Sequence, residues 1–232
     1  MLPTSKATTT PLSGPFFLLA RWNFEEGSGN IILDSSGHNF NGNSVNYVSW
    51  SQSSRIGQYA LLLDATRLQN VNLPLLPYLR ETSLLIWVQT TSKLDIMPLI
   101  FLDGNLVLEE LELFRGIPRY KAIVNGTSFI LQNNINPQDV ADGFWHHIAI
   151  TRSGSYVAIY IDGILEADGT ATLNFPMSSD YINDYYQNNK IAADNSNQYY
   201  DGLLDDARIY GVALTESQIL LLCSKFYNNT GL

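Results

Sequence analysis

Between Phe144 and Leu165 the side chains alternate with a period of two, and this stretch constrains the fold more than any other. Trp145, His147, Ala149 and Thr151 fall on one side, and His146, Ile148, Ile150 and Arg152 on the other. Ser153-Gly154-Ser155 turns the chain, after which Val157, Ile159 and Ile161 resume the alternation. Asp162-Gly163 follows, a pair suited to a type I′ turn, whose two central residues both need positive φ. Short strands are predicted again at 18–24, 59–63, 70–73, 84–89, 106–114, 122–124, 128–132 and 204–210. Some are apolar on both faces, as in Leu84-Leu85-Ile86-Trp87-Val88, which suits the middle of a sandwich. Many short strands without βα alternation predict an all-β chain of two packed antiparallel sheets. One helix breaks the pattern. Thr215-Glu216-Ser217-Gln218 is a capping box, and Ile219, Leu220, Leu222, Cys223 and Phe226 follow as a stripe at helical spacing.

A length of 232 residues suits one undivided β-domain. Met1 to Gly14, rich in Thr, Ser and Pro, reads as a flexible arm, leaving residues 15–232 as the domain. The apolar run Phe16 to Ala20 is too short, and follows Pro15 too closely, to be an export signal. No stretch approaches the roughly 18 apolar residues of a membrane span. With 13 basic and 22 acidic residues the net charge is −9, which excludes a nucleic-acid backbone or a polybasic membrane contact as the working surface. Only 15% of residues are charged, a composition common in extracellular and virion β-proteins. Cys223 stands alone, so no intramolecular disulfide can form, and its place on the helical stripe makes it a core residue.

Four blocks carry a family resemblance. The first is Ala20-Arg21-Trp22-Asn23-Phe24-Glu25-Glu26-Gly27-Ser28-Gly29, with Asp34-Ser35-Ser36-Gly37 and Asn41-Gly42. The second is Gly57-Gln58-Tyr59-Ala60-Leu61-Leu62-Leu63-Asp64 with Val71-Asn72-Leu73-Pro74. The third is Trp145-His146-His147-Ile148-Ala149 with Tyr160-Ile161-Asp162-Gly163. The fourth runs from Tyr200 to Tyr210 through Leu204-Asp205-Asp206-Ala207-Arg208, followed by Ala213-Leu214-Thr215. Together they resemble the LamG-like jelly-roll domains of the concanavalin A-like lectin/glucanase superfamily. The resemblance implies a two-sheet antiparallel jelly-roll sandwich with a short C-terminal helix. It also implies a structural calcium ion held by Asp205, with Asp34 or Glu26 and nearby carbonyls completing the oxygen shell.

Hydrolases of the laminarinase type in this superfamily carry Glu-X-Asp-X-X-Glu on a strand. Here Glu110-Leu111-Glu112-Leu113-Phe114-Arg115 starts in that style and then loses the acid. Glu110 and Glu112 share a face while Glu109 points away. A retaining glycosidase needs two carboxyls about 5–5.5 Å apart, one of them with a raised pKa. The broken series therefore predicts no enzyme. His146 and His147, adjacent on a strand, point to opposite faces and cannot converge on one metal.

Binding remains. The stretch Asp180 to Tyr200 has no clean period and is rich in ligand-type side chains, with Tyr181, Asn183, Asp184, Tyr185, Tyr186 and Asn188 as candidate contacts. A neutral glycan or a protein surface fits the acidic charge better than an acidic glycan does. Three readings follow: a non-catalytic carbohydrate-binding or adhesion module, a decoration or fibre subunit of a virion or extracellular assembly, and, last, a laminarinase-like hydrolase. Each places the chain outside a cell or on a virion surface, and each leaves oligomerisation open.

Overall fold

The computed structural model describes residues 17–175 and 185–224. The arm at residues 1–14 lies outside them, as do Tyr181, Asn183, Asp184 and Phe226. The hairpin forms where the alternation predicts it. β13 (His146–Ser153) pairs with β14 (Tyr156–Ile161), Ile150 opposite Ile159. Asp162 and Gly163 adopt φ of 54° and 84°, both positive as a type I′ turn requires, and return the chain as β15 (Ile164–Thr170). The sequence of β15, Ile-Leu-Glu-Ala-Asp-Gly-Thr, does not alternate; the open edge of β14 makes it a strand.

Two eight-stranded antiparallel sheets stack face to face. The first runs β15–β14–β13, then β8 (Glu81–Gln89), β18 (Gly202–Tyr210), β5 (Ala60–Leu63) and β4 (Ser49–Ser51), with β1 (Leu18–Trp22) also on β18. The second runs β12 (Thr127–Leu131), β11 (Ile117–Val124), β10 (Val107–Phe114), β9 (Met97–Asp103) and β17 (Lys190–Ile191). It then continues through β6 (Asn70–Asn72), β3 (Gly42–Val45) and β2 (Ile31–Ile32). A two-stranded sheet of β7 (Leu76–Pro77) and β16 (Tyr185–Tyr186) stands beside them. This is an all-β jelly-roll sandwich.

Alternation decides what each strand buries. In β8, Leu84, Ile86 and Val88 enter the core between the sheets, where they join Ile148 and Ile150 of β13 and Leu111, Leu113 and Tyr120 of the second sheet. Leu85 points outward and packs with Ala149, Ala158, Tyr210 and Ile219 under the helix α1 (Glu216–Ser224). Phe24 lies in the inter-sheet core. Trp87 follows Leu85 instead: it is buried on the outer face of the first sheet rather than between the sheets. The capping box forms. Thr215 Oγ1 accepts from the Gln218 amide at 3.4 Å, and Gln218 Oε1 accepts from the Thr215 amide at 2.7 Å. Ile219 and Cys223 are buried and Leu220 is half exposed, so the helix presents a narrower stripe than the spacing predicts. Burial pushes the Cys223 thiol up to about 11, which leaves it a core group.

An ion pair spans the sandwich. Glu109 of β10 and Arg152 of β13 are both fully buried, so the pair joins the second sheet to the first. Arg152 Nε and Nη2 donate to Glu109 at 2.7 and 3.0 Å, and its remaining N–H groups reach the carbonyls of Arg80 and Leu79. Tyr120 and Tyr186 donate their hydroxyls to the same carboxylate. Burial alone would raise the Glu109 carboxyl; the Arg152 charge and these bonds reverse that and hold it below the ordinary range.

Candidate functional site

The residues 192–200, between β17 and β18, look irregular in sequence and are tightly built in space. Asp194 is buried, and its Oδ1 accepts from the amides of Ser196 and Gln198 at 2.8 and 3.0 Å. Ala193 and Tyr199 form an isolated bridge, and the Tyr200 amide donates to the Ala192 carbonyl. Lys190 Nζ donates to the Asp194 carbonyl at 2.8 Å and to Asn195 Oδ1 at 2.7 Å. Asn195 Nδ2 donates to Asp103 Oδ2 on β9. A loop ordered by its own bonds loses little freedom when it takes up a ligand.

This loop lines two cavities. One, of about 480 Å³, collects Thr66 and Leu68 from the β5–β6 connection, Leu94 and Asp95 from the β8–β9 connection, and Asn197 and Tyr199. Leu68 and Leu94 are about half exposed. The other, of about 350 Å³, is lined by Asn72, Gln187, Asn188, Asn189, Lys190 and Asn195. The larger falls within the size range of ordinary ligand pockets, and amide groups both donate and accept. Most residues lining the smaller cavity lie inside the stretch that composition singles out, as do Asn197, Gln198 and Tyr199 of the larger, whereas Thr66, Leu68, Leu94 and Asp95 come from distant connections that no local motif marks.

The candidate contacts separate. Asn188 lines the smaller cavity and Tyr185 is 42% exposed on β16. Tyr186 is 1% exposed, and its hydroxyl is spent on Glu109, so it is a core residue and not an open ligand contact. Alternation along β16 turns one tyrosine out and the next in.

The carboxylates of β10 are equally committed. Glu110 and Glu112 lie fully buried on the face opposite Glu109, bonded to Lys121 at 3.2 Å and Arg119 at 2.5 Å across the β10–β11 ladder. Burial first, then the neighbouring Glu112 charge, pushes Glu110 up to about 8.

On the outer face of the first sheet, Asp205 of β18 stands opposite Trp87, as does His147. Arg55 lies 4.5 Å over the Trp87 ring. Asp205 Oδ2 accepts from the amides of Arg55 and Ile56 at 2.9 and 2.8 Å; its Oδ1 is buried without a hydrogen-bond partner. Burial pushes this carboxyl up to about 8, with smaller contributions from Asp206 and Glu25. Glu25 grips the same segment, accepting from the amides of Gln58 and Tyr59. Gly57 is required between them: its φ is 71°, and a Cβ there would stand 2.0 Å from Glu25 Oε1.

Asp34 lies apart, its two oxygens taking the amides of Arg21, Ser36 and Phe40 and the Ser36 hydroxyl. Glu26 Oε1 accepts from the Leu33 amide, while its Oε2 is buried and unpartnered. Among the described residues no three carboxylate, His or Cys groups converge as a metal cluster. Asp34 and Glu26 are bonded within the 19–41 region, and the acids acting on Asp205 are Asp206 and Glu25. His146 bridges Asp162 at 2.7 Å and Asp142 at 3.2 Å, whereas His147 is buried beside Trp87, so the two diverge.

Two stacked antiparallel sheets, with cavities lined by their connecting loops, define a jelly-roll β-sandwich. Residues 63–220 match the Laminin_G_3 model of the concanavalin A-like lectin/glucanases superfamily, and the chain belongs to that family. No curated protein matches it in sequence. Domain 4 of AbnA, a GH43 extracellular arabinanase from Geobacillus stearothermophilus, was solved with arabinotriose. It shares 21% identity at a TM-score of 0.71, covering 90% of this chain and 98% of that domain. The binding domain of Paraclostridial Mosquitocidal Protein 1 shares 18% at 0.66 over 91% of this chain. The binding domain of Botulinum Neurotoxin DC in complex with SialylT shares 13% at 0.65 over 90%. The chain spans about half the length of these last two. At these identities the likeness is one of fold. No helix among the described residues is long and apolar enough to cross a membrane.

Proposed function

We propose that this protein is a non-catalytic carbohydrate-binding module acting outside the cell or on a virion surface. The observation that carries the reading is the ordered 192–200 loop with its two cavities, one largely apolar and one amide-lined, on a fold whose solved neighbours include glycan-bound domains. The state of β10 supports the absence of hydrolysis. Glu110 and Glu112 are covered and cation-paired, and a glycosidase needs both of its carboxyls open to the sugar. A glycan array should retain the protein on neutral oligosaccharides, and a reducing-end assay on β-glucans should stay at background. Sustained release of reducing ends that disappears in Glu110→Gln would overturn the non-enzyme part. An empty array would favour a subunit working through protein contacts.

We further propose a structural calcium ion at Asp205. The unpartnered buried Oδ1 and the adjacent Glu25 suit a hard cation, with carbonyls and water supplying the other oxygens; Asp34, saturated by four hydrogen bonds, does not. Such an ion would supply the charge this carboxylate lacks and pin the 55–59 segment to β18. At a hundredfold excess over its dissociation constant, calcium should stabilise the fold by about 2.7 kcal/mol. Differential scanning calorimetry should show that increment in wild type and lose it in Asp205→Ala. Identical melting in chelator and in excess calcium would remove the site.

A further inference from the structure

The two cavities beside the 192–200 loop share that loop as their common wall: Asn195 lines one, and Asn197 and Tyr199 line the other. Asn195 and Asn197 are two positions apart, so their Cα atoms lie at most about 7 Å from each other. We infer that the cavities are two subsites of one groove that takes a neutral oligosaccharide, its chain crossing the loop so that successive sugar rings occupy the two sides. The inference rests on the glycan-binding reading and names the ligand's length, its charge and its seat.

Each side supplies a different half of sugar recognition. The larger cavity offers apolar groups, Leu68 and Leu94 with Tyr199, on which the C–H face of a ring can lie. Thr66 and Asn197 stand beside them for hydroxyls. The smaller is largely amide: Asn72, Gln187 and Asn188 can each donate and accept, as hydroxyl pairs require, while Asn195, held by Lys190 and Asp103, forms the wall. Neither side recruits an anion. Lys190, the cation in the smaller cavity, is spent on the Asp194 carbonyl and Asn195. In the larger, the one charged lining residue is Asp95, itself paired with Arg115.

The wall between the subsites is fixed in advance. Asp194 closes the loop on two of its own amides, Asn197 holds a φ of 63°, and Asn195 is tied to Asp103. A rigid wall that contacts both rings binds a chain better than it binds either ring alone, because the second ring adds contacts at little further cost in order.

Calorimetric titration tests this with arabinotriose, laminaritriose, cellotriose and mannotriose against arabinose, glucose and mannose. At least one trisaccharide should bind about tenfold or more tightly than its monosaccharide. Tyr199→Ala, in the larger cavity, and Asn188→Ala, in the smaller, should each weaken that trisaccharide, Tyr199→Ala by about tenfold, the worth of one stacked ring. Circular dichroism should show both variants folded; if Tyr199→Ala is not, Leu94→Ser on the exposed β8–β9 connection replaces it. Unchanged trisaccharide affinity in both variants would put the site elsewhere and leave the glycan reading standing. A loss in only one variant, or equal affinity for the monosaccharide, would overturn the two-subsite groove. Binding to none of the seven sugars while the array retains other glycans would overturn the neutral-oligosaccharide assignment alone. If the array is empty as well, both readings fall.

Discussion

Glu109→Ala should destabilise the domain by about 3 to 5 kcal/mol, because it strands a buried guanidinium. Arg152 is 0% exposed, and Glu109 is its partner carboxylate in the core. Three hydroxyl and guanidinium groups converge on that carboxylate: Tyr120 from β11, Tyr186 from β16 and Arg152 from β13. Removing it leaves two buried hydroxyls and one buried charge without their acceptor, and each such loss carries a desolvation cost. At this chain length about 1 kcal/mol shifts the melting temperature by about 2–4 °C, so a fall of about 6–20 °C is expected. Glu109→Gln should behave nearly as badly, since it keeps the shape and removes the charge. Glu109→Leu combined with Arg152→Met should recover only the part due to the stranded charge, because the Tyr120 and Tyr186 hydroxyls still lack their acceptor. A fall below about 2 °C in Glu109→Ala would mean that the network contributes nothing to holding the sheets together.

That network also shows where the sequence could be read and where it could not. The face assignment on β10 follows from alternation alone: Glu109 goes one way, Glu110 and Glu112 the other. What alternation cannot give is the partner. Arg152 sits 43 positions away, and it carries no local sign that it points inward to a carboxylate. An irregular, tyrosine-rich stretch marks Tyr186 as a binding residue; two residues of β16 pairing with β7 suffice to turn it into the core.

β9 escaped for another reason. Met97 to Leu102 is a continuous apolar run with Pro98 in it, and a proline argues against a strand. The structure accommodates it at a register shift between Leu111 and Glu112 of β10, where Pro98 lies opposite Glu112. The candidate groove was legible only in part. Its loop is marked by composition, while Thr66, Leu68, Leu94 and Asn72 are unremarkable in sequence and matter only because β6, β9 and β17 are neighbours in the second sheet.

Trp87→Ala should cost about 3 to 5 kcal/mol, the ordinary price of truncating a fully buried indole. Its position on the outer face of the first sheet changes what else the substitution should do. The ring lies under the Arg55 guanidinium and 5.1 Å from the His147 ring, and it stands opposite Asp205 in the β8–β18 ladder. The 55–59 segment is thus held at three points: by the ring, by Asp205 through the amides of Arg55 and Ile56, and by Glu25 through those of Gln58 and Tyr59. Removing the ring takes away one of these and opens space beside Asp205. Urea denaturation followed by circular dichroism should therefore show the midpoint falling with the slope m unchanged, as for a pure loss of stability. The calcium-dependent increment should shrink along with it. Trp87→Phe, which keeps an aromatic platform for Arg55, should lose less of both. A tryptophan packed only between the sheets would affect the midpoint and spare the calcium response, so a calcium increment unchanged in Trp87→Ala would separate this ring from the Asp205 site.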